Sequence, residues 1–251
     1  MCGIVGYVGT PGQSKPALGV VIDALRRMEY RGYDSAGIAL LDGSGGMAVE
    51  KKAGKLDNLV ATVESAGLEN YPATTGIGHT RWATHGRPTD INAHPHVDQL
   101  GKIAVVHNGI IENFAPLRAE LEAQGVEFTS ETDTETVTHL LHAEYYGEGP
   151  NAGNFTASVM AVINRLEGAF TLVIAHADHP DMLMACRRST PLVIGVGEHQ
   201  MFLGSDVAAF IEHTREAVEL GQDNVVTITA DGYTITDFEG NPVEGRPFTI
   251  D

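Results

Sequence analysis

The chain has 251 residues, of which 43% are hydrophobic, a composition that suits a globular protein with a sizeable core. Its 33 acidic and 16 basic residues give a net charge of −17, which argues against nucleic acid or an anionic membrane as the main partner. Two cysteines exclude a disulfide scaffold and fit a reduced, cytoplasmic compartment, and no apolar run approaches the roughly 18 residues that cross a bilayer.

Apolar periodicity predicts short strands and amphipathic helices in the first part of the chain. A buried strand is expected at 3–8, followed by a helix at 15–28 whose apolar residues recur three or four positions apart. The next predicted elements are a hairpin of 37–41 and 48–52, a helix at 56–66, strands at 76–80 and 103–107, and helices at 113–124 and 133–146. The segment 132–135 fits a capping box for the last of these helices.

The remainder of the chain is predicted to be mostly strands. A loop at 147–154 and a helix to about residue 166 precede strands at 169–176, 182–186, 192–196, 201–203, 224–229 and 233–236. This order lacks the regular βαβ alternation of a doubly wound fold and favours antiparallel sheets covered by helices. We therefore expect an α+β fold in which residues 1–251 form one domain.

The second residue is a cysteine. If Met1 is removed, the Cys2 thiol and a free α-amine lie on the same residue, which brings a nucleophile and a base together. The pKa of such an amine is about 8 and that of a free thiol about 8.5, so at neutral pH a part of the amine can accept the thiol proton. Position alone does not separate this role from that of an ordinary terminal residue.

Four polar segments end or interrupt the apolar elements, and each has a structural and a functional interpretation. Arg31 in 29–37 suits the C-terminal end of a helix. Arg81 in 78–86, next to the only tryptophan, could form a bidentate pair with a carboxylate.

The other two segments contain Asn108-Gly109 and Asp133. Asn-Gly is a common turn, but after a buried strand its amide and backbone N–H groups could also form an oxyanion hole. The segment 130–135 fits a helix cap, but its carboxylates could also receive a ligand ammonium.

Five histidines fall within one short stretch of the chain: His79, His85, His94, His96 and His107. The spacing of His94 and His96 occurs in metal sites, but there is no HExxH motif and the five residues are spread over separate loops and strands. We expect no metal and no cofactor, and histidines that are structural or adjacent to a substrate.

Six segments in this order resemble one family, the class II glutamine amidotransferase domain of isomerising glutamine–fructose-6-phosphate aminotransferases. They are 2–6, 29–37, 80–86, 92–95, 107–113 and 131–135, and the resemblance continues to about Asp206. It implies an N-terminal-nucleophile hydrolase fold, which is a four-layer αββα sandwich with two antiparallel sheets between helical layers.

The resemblance also implies the catalytic residues. Cys2 would attack the side-chain amide of L-glutamine, with its own α-amine as base. Asn108 and Gly109 would hold the oxyanion, and Arg31 would order the surroundings of the nucleophile.

Glutamine carries a carboxylate and an ammonium at its far end, so its site needs a charge of each sign. In the family pattern Arg81 pairs with the carboxylate and Asp133 with the ammonium. Thr84 and His85 line the same loop, and Trp82 closes over the site and gates the transfer of ammonia.

In the family, the ammonia passes to fructose 6-phosphate in a C-terminal isomerase domain of a homodimeric enzyme, giving glucosamine 6-phosphate. The chain resembles the glutaminase half alone, so we expect it to hydrolyse glutamine and not to make the amino sugar. One alternative is a glutaminase domain that serves phosphoribosyl diphosphate or aspartate. Another is a glutamine-binding module without activity, in which a retained Met1 blocks Cys2.

Overall fold

Two antiparallel sheets and five α-helices make up the computed structural model, which describes residues 2–251. The strands are β1 (Gly3–Gly9), β2 (Ser35–Leu41), β3 (Met47–Ala53), β4 (Thr75–Arg81), β5 (His96–Val97), β6 (Ile103–Ile111), β7 (Gly168–His176), β8 (Met182–Arg188), β9 (Val193–Val196), β10 (Gln200–Gly204), β11 (Glu216–Glu219), β12 (Asn224–Thr229), β13 (Gly232–Asp237) and β14 (Arg246–Thr249). The helices are α1 (Ala17–Arg27), α2 (Leu56–Ser65), α3 (Phe114–Ala123), α4 (Thr134–Tyr146) and α5 (Phe155–Ile163).

The first sheet has eight strands in the order β14-β11-β9-β10-β1-β4-β2-β3, within the part of the chain that the structure describes. The second sheet has six, in the order β13-β12-β8-β7-β6-β5. The N-terminal strand β1 therefore lies in the middle of the first sheet, between β10 and β4, and β6 lies near the edge of the second.

The two sheets face each other across a shared apolar layer, to which β1 contributes Ile4 and β6 contributes Val106. Helices α1 and α2 pack on the outer face of the first sheet, and α3, α4 and α5 on the outer face of the second. The α+β class and the four-layer sandwich with two antiparallel sheets are thus confirmed. Among the described residues, no helix is long and apolar enough to span a membrane.

Helix α1 shows why the sequence pattern works. Its buried residues Val20 and Val21 are followed three to four positions later by Ala24 and Leu25, and all four pack against the first sheet. The helix begins two residues later than predicted because Pro16 adopts an extended conformation immediately before it.

The strand predictions fail at short and polar elements. Three strands, β5, β11 and β14, are absent from the prediction, since they have only two to four residues and, in β14, no buried side chain. Strand β6 is longer than predicted because β7 pairs with it as far as Ile111. Asn108 and Gly109 therefore lie within a strand, and their interpretation as a turn is wrong.

Candidate active site

The alternation of side chains along three strands brings a thiol, a guanidinium and an amide together. Ile4 in β1 and Ile77 in β4 face the second sheet, so Cys2 and Arg81, which have the same parity, lie on that side. Val106 in β6 faces the first sheet, and Asn108 shares its orientation. The edge strand β5 pairs only with residues 104–105 of β6, so among the described residues no strand covers that edge of β6 beside Asn108.

A cavity of about 300 Å³ opens at this point. All nine predicted site residues line it: Cys2, Arg31, Arg81, Trp82, Thr84, His85, Asn108, Gly109 and Asp133. Their roles stay predictions, but residues that are up to 131 positions apart in sequence share one cavity.

The Cys2 thiol lies against the start of the loop that follows β4. Its Sγ accepts a hydrogen bond from the backbone N–H of Trp82 at 3.1 Å. Burial raises the pKa of the thiol, although the Trp82 N–H and the charge of Arg81 act in the opposite direction. The thiol is therefore protonated at neutral pH, and its use as a nucleophile requires a base.

The carbonyl group of Cys2 is held from two sides. Asn108 Nδ2 donates to it at 3.0 Å and the Arg31 guanidinium at 3.2 Å. Arg31 is itself fixed by an ion pair with Asp206 at 3.0 Å and by the Ser205 carbonyl at 3.3 Å. These contacts are of the kind that an ordering role for Arg31 requires, and that role stays a prediction.

Gly109 occupies a position that only glycine fits. Its φ is +113°, and a Cβ there would lie 2.0 Å from the carbonyl oxygen of Ala169. Glycine is therefore required at position 109, and without a side chain its backbone lines the cavity next to Asn108.

Arg81 is buried and supports the loop that follows it. Its guanidinium donates to the carbonyl groups of His85, Gly86 and Arg87, the last at 3.2 Å. The sequence interpretation gave Arg81 only a ligand carboxylate as partner. In the structure the same group also folds the loop, and this second role was not foreseen.

Asp133 lies beside the cavity at the start of α4. Its Oδ2 accepts the backbone N–H of Ile111 at 2.8 Å, and Oδ1 lies 3.4 Å from the Thr134 hydroxyl. Because β6 holds this carboxylate, it does not cap its own helix.

The predicted capping box is also wrong, because its Thr132 and Glu135 side chains bond to other groups. The Thr132 hydroxyl bonds to His96 at 2.8 Å instead of to the helix. The Glu135 carboxylate accepts the backbone N–H groups of Thr129 and Ser130 at 2.9 and 2.7 Å. Burial opposes the charge of Glu135, but the hydrogen bonds from His139, Ser130 and Thr129 outweigh it and lower the pKa to about 2.

The loop that carries Trp82, Thr84 and His85 is attached at both ends. At its start, the Ala83 N–H donates to Asp34 Oδ2 at 2.8 Å. At its end, Lys51 Nζ donates to the carbonyl groups of Ile91 and Ala93 at 3.0 and 2.9 Å. The Trp82 side chain between these attachments is 54% exposed at the rim of the cavity.

The structure adds two residues that sequence reasoning did not assign, one at the cavity and one behind the loop that borders it. Ser205 lies at the cavity and its Oγ accepts the N–H of Ile4 at 2.9 Å, which fixes β1 next to the nucleophile. Asp34, through Ala83, fixes the loop. Asp34 lies within one of the six segments that resemble the family and Ser205 near the end of the resemblance, but polar residues at strand ends gave no signal specific enough to assign them.

Four of the five histidines in the stretch 79–107 form a buried cluster beside the cavity, His79, His94, His96 and His107, whereas His85 is exposed. His79, His94 and His107 line the cavity, and His94 Nδ1 accepts the backbone N–H of His107 at 3.2 Å. Within residues 2–251, no three His, Cys, Asp or Glu side chains are grouped so that they could hold a metal ion. The other cysteine, Cys186 in β8, is buried where the second sheet meets its helices, and burial raises the pKa of its thiol to about 12.

Comparisons with known proteins agree with this geometry. The family model "Glutamine amidotransferase domain" matches residues 79–212. Glutamine–fructose-6-phosphate aminotransferase (isomerizing) of Mycolicibacterium smegmatis is 67% identical over 96% of this chain and 38% of its own length. The corresponding protein of Streptomyces coelicolor is 58% identical over the whole of this chain and 39% of its own length. The chain thus spans about 40% of the length of these relatives.

Solved structures show the same fold. Glutamine phosphoribosylpyrophosphate amidotransferase from B. subtilis superposes with a TM-score of 0.77 at 24% identity, over 96% of this chain and 50% of its own. A glutamine aminotransferase class-II domain protein from Silicibacter pomeroyi gives a TM-score of 0.59 at 17% identity, over 94% of this chain and 99% of its own.

The four-layer sandwich, with a cysteine directly before its first central strand, defines an N-terminal-nucleophile hydrolase fold of the amidotransferase type. Within this class, the family match and the close relatives identify the family of the chain. The chain belongs to the class II glutamine amidotransferase domain family.

Proposed function

We propose that this domain hydrolyses the side-chain amide of L-glutamine to glutamate and ammonia. The observation that carries the proposal is the single cavity that contains the Cys2 thiol, the Asn108 amide and two opposite charges, Arg81 and Asp133. A zwitterionic substrate with a reactive amide at its other end matches this set of groups.

The reaction proceeds in two covalent steps. The α-amine of Cys2 accepts the thiol proton while sulfur bonds to the amide carbon, and the Asn108 amide and the Gly109 N–H stabilise the oxyanion. The C–N bond then breaks, ammonia leaves with the proton, and a glutamyl thioester remains. Water attacks the thioester, the C–S bond breaks, and glutamate leaves as the thiol regains its proton.

Substrate binding depends on charge. Arg81 pairs with the α-carboxylate of glutamine, and Asp133 with its α-ammonium. Thr84 and His85 complete the loop side of the cavity, and Trp82 at the rim closes over the bound substrate. Arg31 keeps the Cys2 backbone in place through the Cys2 carbonyl.

For the whole protein, the close relatives support fructose 6-phosphate as the ammonia acceptor. We propose that residues 1–251 form the glutaminase domain, and that the acceptor reaction takes place in a C-terminal isomerase domain of a cytoplasmic, homodimeric enzyme. The product would then be glucosamine 6-phosphate. The similarity to phosphoribosylpyrophosphate amidotransferase concerns the fold alone, so it does not favour that acceptor.

The test is an ammonia-release assay with L-glutamine, together with intact mass after treatment with a glutamine-like electrophile. We expect turnover, loss of the Met1 mass and a single adduct on Cys2. Met1 lies outside the residues that the structure describes. A protein that keeps Met1, forms no adduct and binds glutamine without turnover would instead be the binding-only module.

Asp133→Asn is expected to raise KM for glutamine by about 10- to 100-fold with a smaller change in kcat. The substitution removes one charge at nearly constant shape, and a hydrogen bond to a charged group contributes about 1.5–3 kcal/mol. Steady-state kinetics of ammonia release measure the effect. Arg81→Ala is also expected to raise KM, but it removes the loop contacts of Arg81 as well.

A substrate analogue provides the control for Asp133→Asn. Glutaramate is glutamine without its α-ammonium, so it should have the same KM with the wild type and with Asp133→Asn. An equal loss with both substrates would show that Asp133 shapes the cavity and does not recognise the ammonium.

A further inference from the structure

His79 lies directly beneath the candidate oxyanion site. It sits in β4 opposite Ile4 of β1 and Gly37 of β2, and its side chain is fully buried. Its Nε2 lies 3.0 Å from the carbonyl oxygen of His107 and 2.9 Å from Asn108 Oδ1. The imidazole therefore contacts the amide whose other end points at Cys2.

The surroundings of His79 decide its tautomer. A carbonyl oxygen accepts but never donates, so the Nε2 atom must carry the hydrogen. Nδ1 is buried and has no hydrogen-bond partner among the described residues, so a proton on Nδ1 would have no acceptor there. Burial lowers the pKa of His79 to about 3, which keeps the ring neutral near pH 7.

The plane of the ring is also fixed. His79 stacks on His94 with ring centroids 4.2 Å apart and an angle of 11° between the planes. The segment that contains His94 fits there because Gly37 has no side chain: a Cβ at Gly37 would lie 1.9 Å from the His94 carbonyl oxygen. The N–H of His79 is thus held in one direction.

An asparagine amide has a donor end and an acceptor end, and rotation by half a turn exchanges them. With Oδ1 on His79, Nδ2 points to the Cys2 carbonyl at 3.0 Å and has a second hydrogen for the cavity. In the opposite orientation, Oδ1 would face the Cys2 carbonyl and the developing oxyanion. All three groups are acceptors, so no hydrogen bond could form between them.

We propose that His79 is a positioning residue that locks the Asn108 amide with its N–H groups towards the nucleophile. The inference rests on the proposed glutamine hydrolysis and adds to it the group that orients the oxyanion donor. His79 acts through Asn108 and takes no part in proton transfer.

Two substitutions of His79 distinguish a role in orienting Asn108 from a role in packing alone. Gln in place of His79 keeps an N–H donor near the position of Nε2, whereas Asn presents its donor near that of Nδ1. We expect His79→Asn to lower kcat for glutamine by about 10- to 100-fold, because the loss of one oxyanion donor sets the upper limit of the effect. KM should stay within about threefold of the wild type. His79→Gln should recover most of kcat.

Alkylation of Cys2 by iodoacetamide provides the matched control, because sulfur displaces iodide from a saturated carbon and no oxyanion forms. Its rate should be unchanged in both variants. Normal kcat in His79→Asn, equal losses in both variants, or alkylation that falls in parallel with kcat would overturn the proposal.

If a variant does not fold, the wild-type protein still allows a decision. The ¹⁵N chemical shifts of His79 should show a neutral ring protonated at Nε2 from about pH 5 to 8. A ring protonated at Nδ1, or a doubly protonated ring, would contradict the proposal. This measurement needs no turnover, so a wild type with the expected tautomer but without ammonia release would refute only the proposed function.

Discussion

Replacement of Cys2 by alanine is expected to abolish ammonia release while leaving glutamine binding intact. The substitution removes the atom that forms the thioester, and loss of a covalent nucleophile lowers kcat by an order of about 10⁶ in enzymes that use one. The charges that bind the substrate belong to Arg81 and Asp133 and remain in place. Ammonia release measures the first effect, and calorimetric titration with glutamine the second.

Cys186→Ala is the matched control, because it removes the only other thiol of the chain. Cys186 is fully buried on the helical side of the second sheet, so this variant should keep its activity even if some stability is lost. Turnover at the normal rate in Cys2→Ala would mean that the reaction does not pass through a Cys2 thioester.

The fold was predictable where burial imposes a period on the sequence. Helix α1 and the strands β1 and β4 follow their apolar patterns closely, since each buries one face or both. The two-residue β5 and the exposed β14 have no such period, and their pairing depends on neighbours distant in sequence. Composition and element order therefore gave the fold class but could not give the strand order of either sheet.

The candidate site was predictable in its members but not in their contacts. The cavity unites all nine predicted residues, yet the family resemblance, and not periodicity, selected them. The sequence could not show which partners each polar side chain binds. Asp133 binds the N–H of Ile111 instead of capping α4, Arg81 supports its own loop, and His79 contacts Asn108. Such choices depend on three-dimensional distances between strands.

Asn108→Ala is expected to lower kcat for glutamine by about 10²- to 10³-fold, with a much smaller change in KM. The amide donor is required mainly when negative charge develops on the substrate oxygen, so its loss affects the transition state more than the bound substrate. The same substitution removes the hydrogen bond to the Cys2 carbonyl, so the position of the thiol must be checked separately. Steady-state kinetics give the kcat and KM values, and the rate of iodoacetamide alkylation reports on the thiol.

Asn164→Ala is a suitable control, because the Asn164 amide also donates to backbone carbonyl groups but lies at the end of α5, outside the cavity. Any loss of stability should be similar in the two variants, whereas only Asn108→Ala should lose kcat. If Asn108→Ala instead raised KM alone, Asn108 would belong to substrate binding. The oxyanion would then need a different donor, and the proposed role of His79 would fail with it.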